Sequence, residues 1–252
     1  MKLLIKISYL GTNYCGYQVQ PNGVTIQQKL NEASYTVFGF ACDIVGCSRT
    51  DSGVHANEFC ATVAERGKPD LTTEIPLQRI PMALTAYLPQ DICVFDACWV
   101  PDSFHARYDV KEKEYLYRFF NRAVRSPFEE GRSVHVPKRL DDLALKEMNV
   151  AAQSLCGTQD YAAYMAQGSS VKSTVRTVTR AEVFRDGDCV VLRIAADGFL
   201  YNMVRIIAGT LLAVGQKKLC ADDVQRITKS RDRLQAGSTM PACGLYLNRV
   251  IY

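Results

Sequence analysis

Leu3-Leu-Ile-Lys-Ile-Ser-Tyr9, followed after a turn by Thr25-Ile-Gln-Gln-Lys-Leu-Asn-Glu-Ala-Ser-Tyr-Thr-Val-Phe-Gly39, is the stretch from which the rest of the chain is read. Leu3, Ile5, Ile7 and Tyr9 alternate with their neighbours, the pattern of a strand with one face turned to a core. Pro21-Asn22-Gly23 supplies a turn, and Thr25 with Gln28 three residues on has the form of a capping box. Ile26, Leu30, Ala33 and Val37 then recur at helical spacing until Gly39. The chain therefore opens strand, then helix.

Strands are predicted next around Cys42–Cys47 and Asn57–Ala64, joined by Ser48-Arg-Thr-Asp-Ser-Gly-Val-His55. A short helical pattern near Leu77–Leu88 leads to a strand at Ile92–Val100. The second half repeats the order. Glu114–Asn121 reads as a strand, and Asp141–Leu155 as a helix with Leu145, Met148, Ala152 and Leu155 inward and Gly157 as its stop. Thr174–Phe184 and Cys189–Ala196 form a hairpin across Arg185-Asp-Gly-Asp188. Phe199–Val214 is an apolar helix, a short helix falls near Ala221–Lys229, and Leu245–Ile251 closes the chain as a strand. Each half thus reads strand-helix-strand-strand-helix-strand. The expected fold is α+β: two pseudo-symmetric split βαβ (ferredoxin-like) lobes, forming a mixed, mainly antiparallel sheet with helices on one face and a central cleft. We expect an N-terminal lobe over residues 1–108 and a C-terminal lobe over 109–252, with a weak boundary near Pro101–Val110.

At 252 residues the chain has room for one large domain or two of about 110 to 130 residues. Its 48% hydrophobic and 22% charged residues are an ordinary globular balance, which excludes a disordered chain. No run approaches the ~18 apolar residues of a membrane span, since Arg193, Asp197, Asn202 and Arg205 interrupt the most apolar segment. Lysines inside the first apolar run argue for a strand and against a signal peptide, so a cytoplasmic location is expected. The ten cysteines are scattered, with no Cys-x-x-Cys, and read as small buried hydrophobes. With only three histidines besides, no metal site is expected.

The net charge of +4 is unevenly spread: between Lys111 and Arg139 eight basic residues stand against four acidic ones. Tyr115, Tyr117, Phe119 and Phe120 interleave with them. Such a segment fits either a polyanion with stackable bases or a solvated strand edge. Asp51 has two readings as well: a turn residue bonding nearby backbone N–H groups, or a reactive carboxylate in a loop that also carries Arg49 and Gly53. Arg205, early in an otherwise apolar helix, is either a snorkelling surface arginine or a buried guanidinium in need of a carboxylate.

Tyr14-Cys-Gly-Tyr-Gln-Val-Gln20, Arg49-Thr-Asp-Ser-Gly-Val-His-Ala56, Phe104-His-Ala-Arg107, Lys113-Glu-Tyr-Leu-Tyr117, Phe199-Leu-Tyr-Asn-Met-Val-Arg205 and Ala242-Cys-Gly-Leu-Tyr-Leu247 occur in that order along almost the whole chain. In this the sequence resembles the tRNA pseudouridine synthase A (TruA) family. Ser52 stands where that family more often has alanine, and Tyr201 and Cys243 where it often has histidine, so those two positions receive no acid–base role.

The resemblance implies an isomerase that converts uridine to pseudouridine at positions 38, 39 and 40 of the tRNA anticodon stem-loop, without cofactor or metal. It implies Asp51 as the nucleophile, attacking either the sugar anomeric carbon or C6 of the base. Arg205 would pair with Asp51 and hold it ionised, and Tyr115 would stack on the detached uracil. The phenol of Tyr115 is a candidate for taking the C5 proton, though at an ordinary pKa of about 10 it is a weak base. Arg49, two residues before the nucleophile, would fill the space left by a flipped-out uridine. Arg107 and the segment through Arg118, Arg122, Arg125 and Arg132 would hold phosphates. The implied partners are tRNA and a second copy of the chain in a homodimer, with no membrane. The competing class is a non-catalytic tandem-lobe RNA-binding protein. Retention of Asp51 argues against it, because a polyanion site gains nothing from a carboxylate.

Overall fold

The computed structural model describes residues 1–168 and 171–252, which divide into two units: Met1–Lys111 with Leu247–Tyr252, and Glu112–Tyr246. In the first unit β1 (Lys2–Tyr9) is followed by α1 (Ile26–Phe38), β2 (Cys42–Gly46), β3 (His55–Glu65), α2 (Ile80–Thr85) and β4 (Ile92–Val100). The strands lie in the order β4-β1-β3-β2 and every pairing is antiparallel. Leu3, Ile5 and Ile7 stand opposite Val63, Ala61 and Phe59 of β3, and all six are fully buried. That row and the buried Ile26, Leu30 and Ala33 of α1 and Ile80 and Leu84 of α2 make the core. α1 packs on β2 and α2, and α2 packs on β4.

The ends of α1 follow its sequence. The side chain of Thr25 accepts from the Gln28 N–H at 3.2 Å, and Gly39 closes the helix at φ 80, the left-handed conformation that glycine tolerates best. Only one arm of the capping box forms, since the Gln28 side chain turns along the helix to donate to Glu32 at 2.9 Å.

The second unit holds β5 (Glu112–Phe120), the two-residue β6 (Val134–His135), α3 (Asp142–Gln153), β7 (Gly157–Asp160), β8 (Val175–Asp186), β9 (Cys189–Ala196), α4 (Met203–Gly215) and α5 (Ala221–Ser230). Its strands run β5-β9-β8-β7, antiparallel throughout, while β6 lies parallel to β5. The β5-β9-β8 part repeats the β1-β3-β2 order of the first unit. Tyr117 stands opposite Leu192, and Phe119 opposite Val190, all on the buried face. α3 packs on β8, α4 and α5, with α4 against β5. β10 (Leu245–Ile251) ends the chain beside β3, its residues from Leu247 onward belonging to the first unit.

Both units are α+β with largely antiparallel pairing, as the strand-helix order predicts. β6 and β7 have no counterpart in the expected order, and four further details differ. α4 starts at Met203 rather than Phe199, because Asn202 takes φ 60 and so cannot continue a right-handed helix. Gly157 does not stop α3, which ends at Gln153; at φ 104 it opens β7. Leu145 is half-buried, and Ala144 and Ala151 take the inward positions beside Met148. Finally, of the ten cysteines only Cys42, Cys47, Cys60 and Cys189 are buried; Cys98, Cys156 and Cys220 are exposed. Burial pushes the Cys42 and Cys60 thiols up to about 11 and about 12, so both stay protonated at neutral pH.

Thr25→Ala removes the helix cap while leaving the core rows intact. The expected loss is about 1 kcal/mol in urea denaturation, with an unchanged dependence on denaturant.

Candidate active site

Asp51 sits half-buried in the loop between β2 and β3. The loop turns tightly: Val54 N–H donates to the Asp51 carbonyl at 3.1 Å, and Gly53 supplies φ 79. The segment Gly11–Tyr17 braces it from the other side. His55, fully buried, accepts through Nδ1 from the Gly11 N–H at 2.9 Å. Tyr9 and Thr50 share a buried hydroxyl–hydroxyl bond of 2.8 Å, Tyr17 N–H donates to the Thr50 carbonyl at 3.1 Å, and the Ser52 hydroxyl donates to the Tyr14 carbonyl at 3.1 Å.

Two glycines allow that approach. A Cβ at Gly11 would stand 2.0 Å from the Val54 carbonyl oxygen, and one at Gly16 would stand 2.7 Å from that of Thr50. Gly16 also adopts φ 81. Tyr14 anchors the brace by donating its hydroxyl to Asp91, and burial together with that carboxylate raises its phenol above the ordinary tyrosine value.

Beside this loop a cleft of about 240 Å³ is lined by Arg49, Arg107, His105, Tyr108, Gln27 and Tyr17 among others. Arg49 and Arg107, 58 positions apart in sequence, thus share one wall-to-wall space. Among the described residues neither forms an ion pair. Tyr17 stacks on Phe59 at 4.3 Å, and its buried hydroxyl has no hydrogen-bond partner among the described residues. Burial raises that phenol as well.

Tyr115 and Arg205 belong to the second unit. Tyr115, on β5, is 7% exposed and meets Phe199 edge to face at 5.0 Å. Arg205 is neither a free snorkelling chain nor fully buried. Its Nε–H donates to the Met240 carbonyl and a terminal N–H to the Asn202 side chain, both at 2.7 Å. The φ 60 of Asn202 is thereby tied to the aim of the guanidinium. Residues 237–240 lie against α4 through two more glycines: a Cβ on Gly209 would be 2.0 Å from the Ser238 carbonyl oxygen, and one on Gly237 would be 2.4 Å from Thr210 N. The Tyr117 hydroxyl donates to the Pro241 carbonyl at 2.6 Å, fixing the end of that segment.

The basic stretch from Lys111 to Arg139 divides in two. Arg118 and Arg122 lie 3.9 Å from Asp186, the last residue of β8, and 3.2 Å from Asp188, in the turn that follows it. Arg125 and Arg132 are exposed on the loop between β5 and β6, next to exposed Val124 and Phe128. Sequence reasoning passed over the brace of Gly11, Gly16 and His55 and the support of Arg205 by Asn202 and Met240. A glycine inside an apolar helix, Gly209, was the one available sign of a close backbone approach. Among the described residues no cluster of three or more His, Cys, Asp or Glu side chains could hold a metal ion, and no helix is long and apolar enough to cross a membrane.

The family model described as tRNA pseudouridine synthase matches residues 5–109 and 151–252, so Tyr115 lies between the two matched stretches. Proteins named tRNA pseudouridine synthase A are similar along the full length. The one from Thermoanaerobacter sp. (strain X514) is 44% identical over 250 residues, covering 99% of each chain. That of Acetivibrio thermocellus is 42% identical over 253 residues, covering 100% of this chain and 99% of its own. That of Clostridium acetobutylicum is 38% identical over 248 residues, covering 98% of each.

Two substitutions test these supports. Gly209→Ala, which in an open helix would stabilise by about 1 kcal/mol, is expected to destabilise by about 2 kcal/mol here, because the new methyl meets the Ser238 backbone. Tyr17→Phe deletes an unpartnered hydroxyl and is expected to raise stability by about 1 kcal/mol. Thermal unfolding of both variants beside the parent measures the two signs.

Proposed function

This chain belongs to the tRNA pseudouridine synthase family, and from that premise we propose that it isomerises uridine at positions 38, 39 and 40 of the tRNA anticodon stem-loop with Asp51 as its nucleophile. The observation that supports Asp51 most is the loop that carries it: a half-buried carboxylate on a backbone held from both sides. A nucleophile benefits from such preorganisation, since its approach to the reacting carbon is fixed before substrate arrives.

The reaction exchanges one bond for another within the same nucleotide. The glycosidic bond from C1′ to N1 breaks, the uracil turns, C5 bonds to C1′, and the C5 proton is lost while N1 gains one. A carboxylate suits this sequence because it is ionised at pH 7, bonds to carbon, and still departs. Attack at C1′ lets Asp51 hold the sugar while the base turns; attack at C6 lets it hold the base. Asp51 forms one bond and breaks it again on either route, so no cofactor is consumed.

Tyr115 stacks on the detached uracil in this reading, its ring kept in place by Phe199. Arg205 is a substrate-binding guanidinium whose aim is set by Met240 and Asn202. A uridine in a stem must leave the helix to react, and Arg49 is the side chain that props the vacated space. Arg107, with the exposed Arg125 and Arg132, holds phosphates and positions the RNA by shape. We place the enzyme in the cytoplasm as a homodimer with tRNA as its substrate.

Tritium release from tRNA labelled at C5 of uridine checks the assignment. The parent enzyme is expected to release label, and Asp51→Asn to release it on the order of a thousandfold more slowly while binding the same tRNA. Release that survives in Asp51→Asn removes Asp51 as nucleophile; tight binding with no release by the parent makes the chain a binding protein.

A further inference from the structure

The turn that follows Phe104 carries an aromatic ring that nothing in the proposed chemistry uses. Tyr108 is 74% exposed, yet its ring is held: it lies on the His105 ring with centroids 4.2 Å apart. His105 is itself fixed, because its Nδ1 accepts from the backbone N–H groups of Arg107 at 3.1 Å and Tyr108 at 3.3 Å. The Asp109 carboxylate closes the turn by accepting from the His105 N–H at 2.9 Å. An exposed tyrosine ring stacked on a half-buried imidazole, in a turn tied by three hydrogen bonds, offers a flat apolar face to a ligand.

What covers it is set by its neighbours. The guanidinium of Arg107 lies 6.0 Å from the Tyr108 ring centroid, and Arg49 lines the same cleft. Among the described residues neither arginine forms an ion pair, and a cation beside a flat ring matches the two parts of a nucleotide, an anionic phosphate and a stackable base. A base can reach such a ring only when it is not paired inside a helix.

We propose that this cleft is a second nucleotide subsite, which takes an unpaired nucleotide of the RNA near the one that is isomerised, with its base on Tyr108 and its phosphate on Arg107, while Arg49 on the far wall keeps its place beside the reacting uridine. The proposal rests on the reading of the chain as an enzyme of tRNA. It makes Tyr108 a positioning residue: it touches the RNA without touching the reacting uridine, and so contributes to substrate binding and not to the bond exchange.

Pseudouridine formation on an anticodon stem-loop RNA tests it with Tyr108→Ala and Tyr108→Phe. The alanine variant is expected to raise KM on the order of 10-fold with kcat little changed, and the phenylalanine variant to restore the parent KM. Melting temperatures should coincide, since the ring is exposed. A series of RNAs with one abasic nucleotide at each loop position then locates the base. At one position the lesion should cost the parent the same ~10-fold and cost Tyr108→Ala nothing further. An unchanged KM in Tyr108→Ala overturns the subsite, as does a loss that persists equally with every abasic RNA. Absence of product from the parent enzyme would instead sink the functional reading itself.

Discussion

Gly11 brings its backbone so close to the Val54 carbonyl that any side chain would occupy the same space, and the candidate site depends on that approach. It lets the first turn of the chain lie against the loop after β2, where His55, Thr50 and Ser52 exchange hydrogen bonds with it. Gly16 repeats the device one turn later. The carboxylate of Asp51 is therefore carried by a loop that has few ways to move. In the second unit Gly209 and Gly237 do the same for α4, and the segment they admit supplies the Met240 carbonyl on which Arg205 rests. Such contacts tolerate no added methyl, because a backbone carbonyl cannot step aside as a flexible side chain does.

Charge is organised by the same placement. Counting along the chain puts the positive excess between Lys111 and Arg139. In the folded unit Arg118 and Arg122 set part of that excess against Asp186 at the end of β8 and Asp188 in the turn before β9. Arg49 and Arg107, which no local count would pair, come together in one cleft. Guanidinia that line one cleft and form no ion pair among the described residues are stabilised when an anion arrives, whereas exposed ion pairs contribute little either way. The cleft is thus a stronger sign of a phosphate partner than the basic stretch that draws the eye in the sequence.

Much of the architecture was legible without coordinates. The alternation of Leu3, Ile5 and Ile7, the Thr25 cap with Gly39 behind it, and the Gly187-Asp188 turn between β8 and β9 each concern residues within a few positions of one another. Hydrophobic periodicity and capping act at that range, so they can be read from one strand of text. Asp51, Arg49, Arg107, Tyr115 and Arg205 came from their motifs, which mark a chemistry but not its geometry. The misread elements are those where distant residues decide. β7 has no alternation and exists because Gly157–Asp160 find the open edge of β8. The start of α4 moved to Met203 because Asn202 is held by Arg205 in a left-handed turn that its own sequence neighbourhood does not demand.

The α+β class and the order of the long strands and helices were therefore determined by the sequence itself, since each follows from short-range pattern or turn chemistry, while the motifs supplied the candidate residues of the site. Only the tertiary structure decided which glycines must stay glycines, which arginines already face acids, and that Tyr108 stacks on His105 beside Arg107. Those facts depend on how strands register and how loops separated by tens of residues meet, and the energy of such meetings resides in pairs that no local window contains.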